Sequence, residues 1–427
     1  MGYAFTRDDV AYLGSAAGRA ALIETGALAL SPASLLEDLT RLRRGGYAER
    51  AATLVETVRL RRRAVAKLDG AGEWLFTDDA MQQATPSVVA RHRARRLAGR
   101  TVHDVTCSIG AELAALQEFC AAVIGSDLDD VRLAMAAHNL GAVAGASGAR
   151  NILLVKADAL ALCSTAEVVV ADPARRADGR RTHDPALLQP PLPALLDVHR
   201  GRELVVKCAP GLDFDSFVPR RTGIPGVDAD SPESARGRGR IPGSAMPRWD
   251  GEVEVVSLDG AVREACLWSR GLAEPGVTRR ATVLRSDGAW SSLTDAEPDD
   301  IGDRAPGEWI IDPDGAIVRA GLVRHYAAKY GLWQLDPRIA YLTGDTVPAG
   351  VRGFRILDRM DVKEKPLRAE LHRRDCGPLE ILTRGVDLDP DALRARLKPR
   401  GAIPHTLVIT RIGATPTVFL CATPPVR

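Results

Sequence analysis

Val102-His103-Asp104-Val105-Thr106-Cys107-Ser108-Ile109-Gly110 is the stretch whose reading decides the architecture. Its apolar residues end at an acid, as a short buried strand does, and the small residues that follow form a turn. The turn opens onto a helical run from Ala111 to Phe119. Strand, small-residue turn and helix in that order bring backbone amides and a helix N-terminus against a ligand at the carboxyl edge of a sheet. Ser108 stands where the first glycine of a Gly-x-Gly turn is usual.

Outward from this segment, the apolar runs Ala122–Gly125, Ile152–Val155, Val168–Val170 and Leu204–Val206 alternate with helical segments. Fully apolar strands separated by helices predict a buried parallel sheet. Val253–Ser257 and Val262–Trp268, joined by Asp259-Gly260, predict an antiparallel hairpin at its end. A second hairpin (Thr278–Leu284, then from Ala289) and the acidic stretch Asp295–Asp303 are expected to lead away from the sheet. The fold class is therefore α/β and Rossmann-like. Before it, residues 1–72 read as a helical bundle. Ser31-Pro32 predicts a helix start, Gly45-Gly46 a stop, and a further helix runs from about Ala48 to Leu68. After it, residues 308–427 read as a compact α+β unit. Its strands are expected at Trp309–Ile311, Phe354–Leu357, Leu379–Thr383, Leu407–Thr410 and Val418–Cys421, its helices near Pro366–Arg374 and Asp391–Leu397. The predicted domains are 1–72, 73–290 and 308–427.

A chain of 427 residues is too long for one ordinary domain, and 45% apolar with 26% charged residues is a globular composition. The first residues lack the apolar block of a signal peptide, and no window has the roughly 18 apolar residues of a spanning helix, so a cytoplasmic protein without membrane attachment is expected. Seven cysteines without a CxxC pair read as buried free thiols, and the dispersed histidines predict no metal. A formal net charge of +2 does not announce a nucleic-acid binder. Three arginine clusters (41, 43, 44; 59, 61, 62, 63; 91, 93, 95, 96) read by default as solvated helix faces. Residues 219–248, with Arg236-Gly237-Arg238-Gly239-Arg240, read as a flexible loop.

The chemistry is expected at the strand ends. Asp127 follows Asp104 by 23 residues, about what one helix and one strand require. An acid there can accept hydrogen bonds from both hydroxyls of a ribose. Asp158 ends the next run and is placed to meet an adenine amino group. Thr106, Cys107 and Gly110 supply the turn, and Leu128 and Ala159 flank the acids as further ligand-lining residues. Neither G-x-G-x-x-G nor G-x-x-x-x-G-K-[ST] is present, which favours a nucleoside without phosphates.

After the fourth strand comes Val170-Ala171-Asp172-Pro173-Ala174-Arg175-Arg176. This resembles the catalytic tetrapeptide of amino-directed methyltransferases, an Asp, Asn or Ser followed by Pro-Pro and an aromatic. The resemblance implies that Asp172 and the Pro173 carbonyl orient a target amine. Ala174 and Arg175 depart from the pattern, and Arg175 with Arg176 is suited instead to a phosphate or a base face. Gln83-Ala84-Thr85-Pro86 is similar to the Gln-x-Thr-Pro entry of RNA guanine amino-methyltransferases of the cap-hypermethylating type, which implies that Thr85 covers the methionine end of S-adenosylmethionine; it also reads simply as a helix start. Lys207, ending the last parallel strand, faces either the cleft or solvent.

Together these residues resemble a bacterial, largely actinobacterial, group of class I methyltransferases with a C-terminal THUMP-like domain. The core likeness covers about 73–270. The C-terminal likeness rests on Leu379–Val386, the helix with Arg394, Arg396 and Lys398, Pro399-Arg400-Gly401, and Leu407–Gly413. The resemblance implies a seven-stranded class I sheet, S-adenosylmethionine as cofactor, and delivery of RNA by the end domain. The expected activity is methylation of an exocyclic base amine in structured RNA (rRNA or tRNA), with no DNA partner. The rivals are a methyltransferase of small molecules or proteins, and a non-catalytic S-adenosylmethionine- or RNA-binding protein.

Overall fold

The computed structural model describes residues 3–144, 152–174, 176–177, 180–181, 184–212, 214, 248–302 and 304–423. Four helices open it: α1 (Arg7–Gly14), α2 (Ala16–Gly26), α3 (Leu35–Leu42) and α4 (Ala51–Ala64). A capping box starts α1, with the Asp9 amide donating to the Thr6 hydroxyl and the Thr6 amide to the Asp9 carboxylate. Helix α3 begins later than Ser31-Pro32 suggests. The Ser31 and Ser34 hydroxyls bond each other and accept from each other's amides, which makes a turn that competes with the helix. Gly45-Gly46 does mark the stop: after α3 the chain makes one wide turn over Arg43–Tyr47, and Gly46 leaves helical space at φ +97° before α4 begins at Ala51.

The arginines of this region are not simply solvated. Arg62 donates to the carbonyls of Gly26, Leu28 and Ala29, satisfying the chain at and beyond the end of α2. Arg61 binds the carbonyls of Glu73 and Trp74, and Arg63 pairs with Asp78. Arg41, Arg43 and Arg44 are exposed.

Two short helices, α5 (Asp78–Gln83) and α6 (Ser87–Arg96), lead to the sheet. The sheet opens with β1 (Thr101–Asp104), α7 (Ala111–Phe119), β2 (Ala122–Asp127), α8 (Asp130–Ala144), β3 (Ile152–Lys156) and β4 (Val168–Ala171). Two short antiparallel strands follow, β5 (Arg176–Ala177) and β6 (Arg180–Arg181), then α9 (Leu192–Val198) and β7 (Glu203–Cys208). The sheet ends in β8 (Gly251–Leu258), β9 (Ala261–Ser269), β10 (Arg279–Leu284) and β11 (Trp290–Thr294). Its order is β11-β10-β8-β9-β7-β4-β1-β2-β3. Strands β3, β2, β1, β4 and β7 are parallel, and β9 runs antiparallel to β7. The β10–β11 hairpin therefore extends the sheet, making it nine-stranded, where the sequence suggested a departure from it. Every residue of β4 is buried, the signature of a strand covered on both faces.

Packing divides the chain into two compact units, Met1–Val253 with Glu264–Glu274 and Leu284–Ala289, and Glu254–Arg263 with Pro275–Val283 and Trp290–Arg427. In the first, one apolar core joins Leu13, Leu54 and Val58 of the helices to Val102, Leu113, Val168 and Trp268 of the sheet region.

The second unit adds β12 (Trp309–Asp312), α10 (Gly315–Ala320), α11 (Val323–Tyr330), β13 (Trp333–Gln334), β14 (Leu342–Gly344), β15 (Arg352–Asp361), α12 (Glu364–Arg373), β16 (Cys376–Thr383), α13 (Pro390–Leu397), β17 (Ile403–Ile412) and β18 (Thr415–Ala422). These strands form a sheet of order β13-β14-β12-β15-β18-β17-β16, in which β16 and β17 are parallel. Alternate residues of β17 serve its two faces: Leu407 and Ile409 pack with Leu367, Leu371, Leu393 and Leu397 of α12 and α13, while Val408 packs with Phe354 and Phe419. Among the described residues no helix is long and apolar enough to cross a membrane. All seven cysteines are free, and Cys163 is exposed where a buried thiol was expected.

One buried side chain ties the segment before the sheet to the turn after β1. Asn139 of α8 accepts from the Leu75 amide at 2.7 Å and donates to the carbonyls of Leu75 and Ile109 at 3.1 and 2.9 Å. Asn139→Ala leaves those three buried backbone groups unpaired and is expected to cost about 2–4 kcal/mol in equilibrium urea unfolding; a loss under about 0.5 kcal/mol would contradict this role.

Candidate active site

Parallel strands present their carboxyl ends at one edge, and there the first unit has a cleft of about 480 Å³. Thr85, Asp104, Thr106, Cys107, Leu128, Asp127, Asp158, Ala159 and Asp172 all line it, together with Glu112, Arg132, Gln189 and Lys207. Gly110 stands behind the lining as the N-cap of α7, at φ +81°. A Cβ there would sit 3.2 Å from the Ala136 side chain, so close packing of α7 on α8 needs the glycine. Ser108 takes φ +49°, the left-handed conformation that a glycine adopts with less strain. The weakened Gly-x-Gly thus keeps the backbone path of the turn. Pro173 is buried just outside the lining. Arg175 lies outside the described residues, as do Arg236–Arg240.

Hydrogen bonds to backbone hold each acid in place. Asp127 accepts from the amides of Ser108 and Asp129, both at 2.9 Å, which locks the turn after β1 to the end of β2. Asp158 accepts from the Leu160 amide through one oxygen at 2.9 Å. The Thr106 hydroxyl accepts from the Asp172 amide at 2.7 Å, so the end of β1 positions the end of β4. Beyond Asp172, Ala174 and Gln189 exchange backbone hydrogen bonds at 2.7 and 3.1 Å. Leu128 is exposed at the outer rim and Ala159 is buried.

Below the cleft lies a group of charges that the sequence does not announce. Lys207 is 6% exposed, and its ammonium donates to the Thr85 hydroxyl and to Asp172 Oδ2. Burial alone would lower its pKa, but Asp172 and Glu264 outweigh that and raise it, so Lys207 is a cation. Arg93, read from sequence as part of a solvated face, is 1% exposed and pairs with both Glu112 and Glu264. Its cluster neighbours are engaged too: Arg91 with Asp69 and Glu118, and Arg96 with Glu252 while covering the Trp268 ring. The arginines of α6 look alike as letters; only the carboxylates of α7, β8 and β9 reveal which are buried. Burial pushes the Asp104 carboxyl up to about 7, and Glu112 and Asp172 act in the same direction against the Thr106 amide and Lys207. His103 is buried between the Ser164 and Ser126 hydroxyls, and burial holds it down at about 4, which makes it a neutral structural residue.

In the second unit, two of the cations on which the C-terminal likeness rests are engaged within the fold: Arg394 binds Asp391 and the Leu379 carbonyl, and Arg396 binds Glu364. Lys398 and Arg400 are exposed.

A family model described as THUMP domain-like matches residues 351–423, and one described as a domain of unknown function matches residues 6–64. A Mycobacterium tuberculosis protein (strain CDC 1551 / Oshkosh), named as an uncharacterized S-adenosylmethionine-dependent methyltransferase, is 52% identical over 377 residues, covering 87% of this chain and 96% of its own. The protein of the same description from strain ATCC 25618 / H37Rv matches to the same extent. Among solved structures, a candidate methyltransferase from Porphyromonas gingivalis W83 is similar in fold, with a TM-score of 0.66 at 18% identity over 88% of this chain and 91% of that one.

The raised Asp104 pKa has a consequence for stability. Folded Asp104 keeps its proton to about pH 7, whereas the unfolded carboxyl loses it near the ordinary 3.8. Between those values the folded state binds more protons, so this group's contribution to stability falls as pH rises, and it levels off above 7. Urea unfolding at pH 5 and pH 8 should show wild type losing stability relative to Asp104→Asn; parallel behaviour of the two would show that Asp104 titrates normally.

Proposed function

The chain belongs to the S-adenosylmethionine-dependent methyltransferases, and on that footing we propose that it methylates an exocyclic amine of a base in a structured RNA. The cleft suits the cofactor chemically: besides Asp104, which burial keeps protonated to about pH 7, four carboxylates line it against Arg132 and Lys207, an excess that favours a cationic sulfonium ligand. S-adenosylmethionine, when bound, supplies the activated methyl group. In this reading Asp127 takes the ribose hydroxyls and Asp158, with one carboxylate oxygen not bound to backbone, takes the adenine amine. Thr106, Cys107 and Gly110 shape the turn beneath them, with Leu128 and Ala159 on either side.

The observation that carries the reading is the Lys207–Asp172 ion pair. Lys207 holds Asp172 Oδ2, and Oδ1 has no hydrogen bond among the described residues. An ionised carboxylate kept in one rotamer by a buried ammonium can accept an N–H of the target amine and turn its lone pair toward the methyl group. Methyl transfer to an amine needs little acid–base help, so most of what these side chains contribute is alignment. The Pro173 carbonyl is the second acceptor, and Arg175 is assigned a place beside them from sequence alone. The Thr85 hydroxyl accepts a second hydrogen bond from Lys207. The missing second proline and aromatic remove a stacking partner for the base, but not the Asp172 acceptor.

The choice of RNA as substrate is supported by the THUMP-like match and by exposed Lys398 and Arg400 after α13. Only 4% of the residues are aromatic, which disfavours a stacking reader of single strands and favours recognition of a fold through its phosphates. Comparing nucleosides of total RNA from cells with and without the gene, by mass spectrometry, tests it. One methylated nucleoside should disappear, and return on incubation of the deficient RNA with the enzyme and S-adenosylmethionine. Asp172→Ala should bind the cofactor within about threefold of wild type yet lose about 100-fold or more in turnover. An unchanged nucleoside profile would turn the search to small molecules or proteins as acceptors.

A further inference from the structure

The strand ends impose a direction on the cleft. Asp158 after β3, Asp127 at the end of β2, Asp104 at the end of β1 and Asp172 after β4 follow the spatial order of the strands. With adenine and ribose at the first two and the acceptor amine at the last, the methionine tail has to turn down toward Asp104. This step rests on the cofactor reading above. Around Asp104 the lining changes from exposed loop to buried polar and charged side chains: Thr85, Glu112 and Lys207.

Glu112 occupies the first turn of α7 and is 7% exposed. Its Oε1 accepts from Arg93 Nη1. Its Oε2 is buried and has no hydrogen-bond partner, although the residue lines the cleft. An unpaired buried carboxylate oxygen costs free energy unless a donor reaches it. Arg93 is shared with Glu264 of β9, so one guanidinium serves two carboxylates. Lys207 is committed to Asp172 and Thr85. Two buried cations therefore face three carboxylates, before Asp104 is considered. The group lacks a positive charge, and Glu112 Oε2 is where a donor would meet it.

We propose that Glu112 binds the α-ammonium group of the cofactor's methionine moiety, aimed and held by the Arg93–Glu264 pair. Glu112 is then a specificity residue: it separates S-adenosyl amino acids from nucleosides that carry a plain thioether.

Calorimetric titration of the full-length protein tests this with three probes. S-adenosylhomocysteine has the complete tail, its desamino analogue lacks only the ammonium, and 5′-methylthioadenosine lacks the tail. Glu112→Gln preserves volume and an acceptor for Arg93. It should weaken S-adenosylhomocysteine binding about tenfold or more, as expected for loss of a charged hydrogen bond, and leave the other two within about twofold. Equal losses for all three probes, or no loss for any, overturn the proposal. Wild type supplies an independent arm that needs no variant to fold: it should prefer S-adenosylhomocysteine over the desamino analogue by a similar factor, and equal affinities overturn the proposal as well. Failure of wild type to bind S-adenosylhomocysteine at all would refute the cofactor reading itself, and the inference with it.

Discussion

Parallel pairing of β3, β2, β1, β4 and β7 is the constraint on which the site depends. Five strands that run the same way must end at the same edge, so residues far apart in sequence meet there without any long-range design beyond the hydrogen-bond ladder. Asp158, Asp127, Asp104, Asp172 and Lys207 sit at or just after those ends. The ladder itself is held by burial: β4 has no exposed residue, and the core continues from the sheet into the N-terminal helices. The N-terminal helices thus belong to the packing that fixes the position of the cleft floor.

What the edge brings together, short hydrogen bonds then order. Asp127 stitches the turn after β1 to β2, and Thr106 stitches β1 to the loop after β4. Lys207 joins the last parallel strand to Asp172 and to Thr85. Each tie uses a polar group twice, once on backbone or a charged partner and once on the cleft. The buried Arg93 acts in the same way beneath the cleft, coupling α6, α7 and β9. Breaking such pairs singly strands a charge in a poorly solvated place, which makes this layer sensitive to conservative changes.

Much of this was legible in sequence because it follows from local pattern. The strand ends, the spacing of Asp104 and Asp127, the turn at Ser108–Gly110 and the Asp172-Pro173 pair all lie within single supersecondary units. Strands β12 and β15 to β18 were readable for the same reason, since they alternate or run apolar, whereas β13 and β14, of two and three residues, are too short to show a period. What sequence did not reveal depends on partners distant in the chain. Lys207 could face cleft or solvent until Asp172 and Thr85 were seen beside it, and Arg93 looked like a surface residue until Glu112 and Glu264 enclosed it. Glu112 carried no signal beyond its position two residues after Gly110. The Ser31-Pro32 helix start was misplaced by the Ser31–Ser34 hydroxyl turn, and the β10–β11 hairpin joined the sheet edge because its strands find a neighbour in β8.

The most direct test of the account is a crystal structure of the full chain with S-adenosylhomocysteine. The account predicts the adenine amine on Asp158, the ribose hydroxyls on Asp127, and the sulfur directed toward Asp172 with the Lys207 pair intact. A nucleoside lying in the opposite direction along the strand ends, or bound outside this cleft, would contradict it.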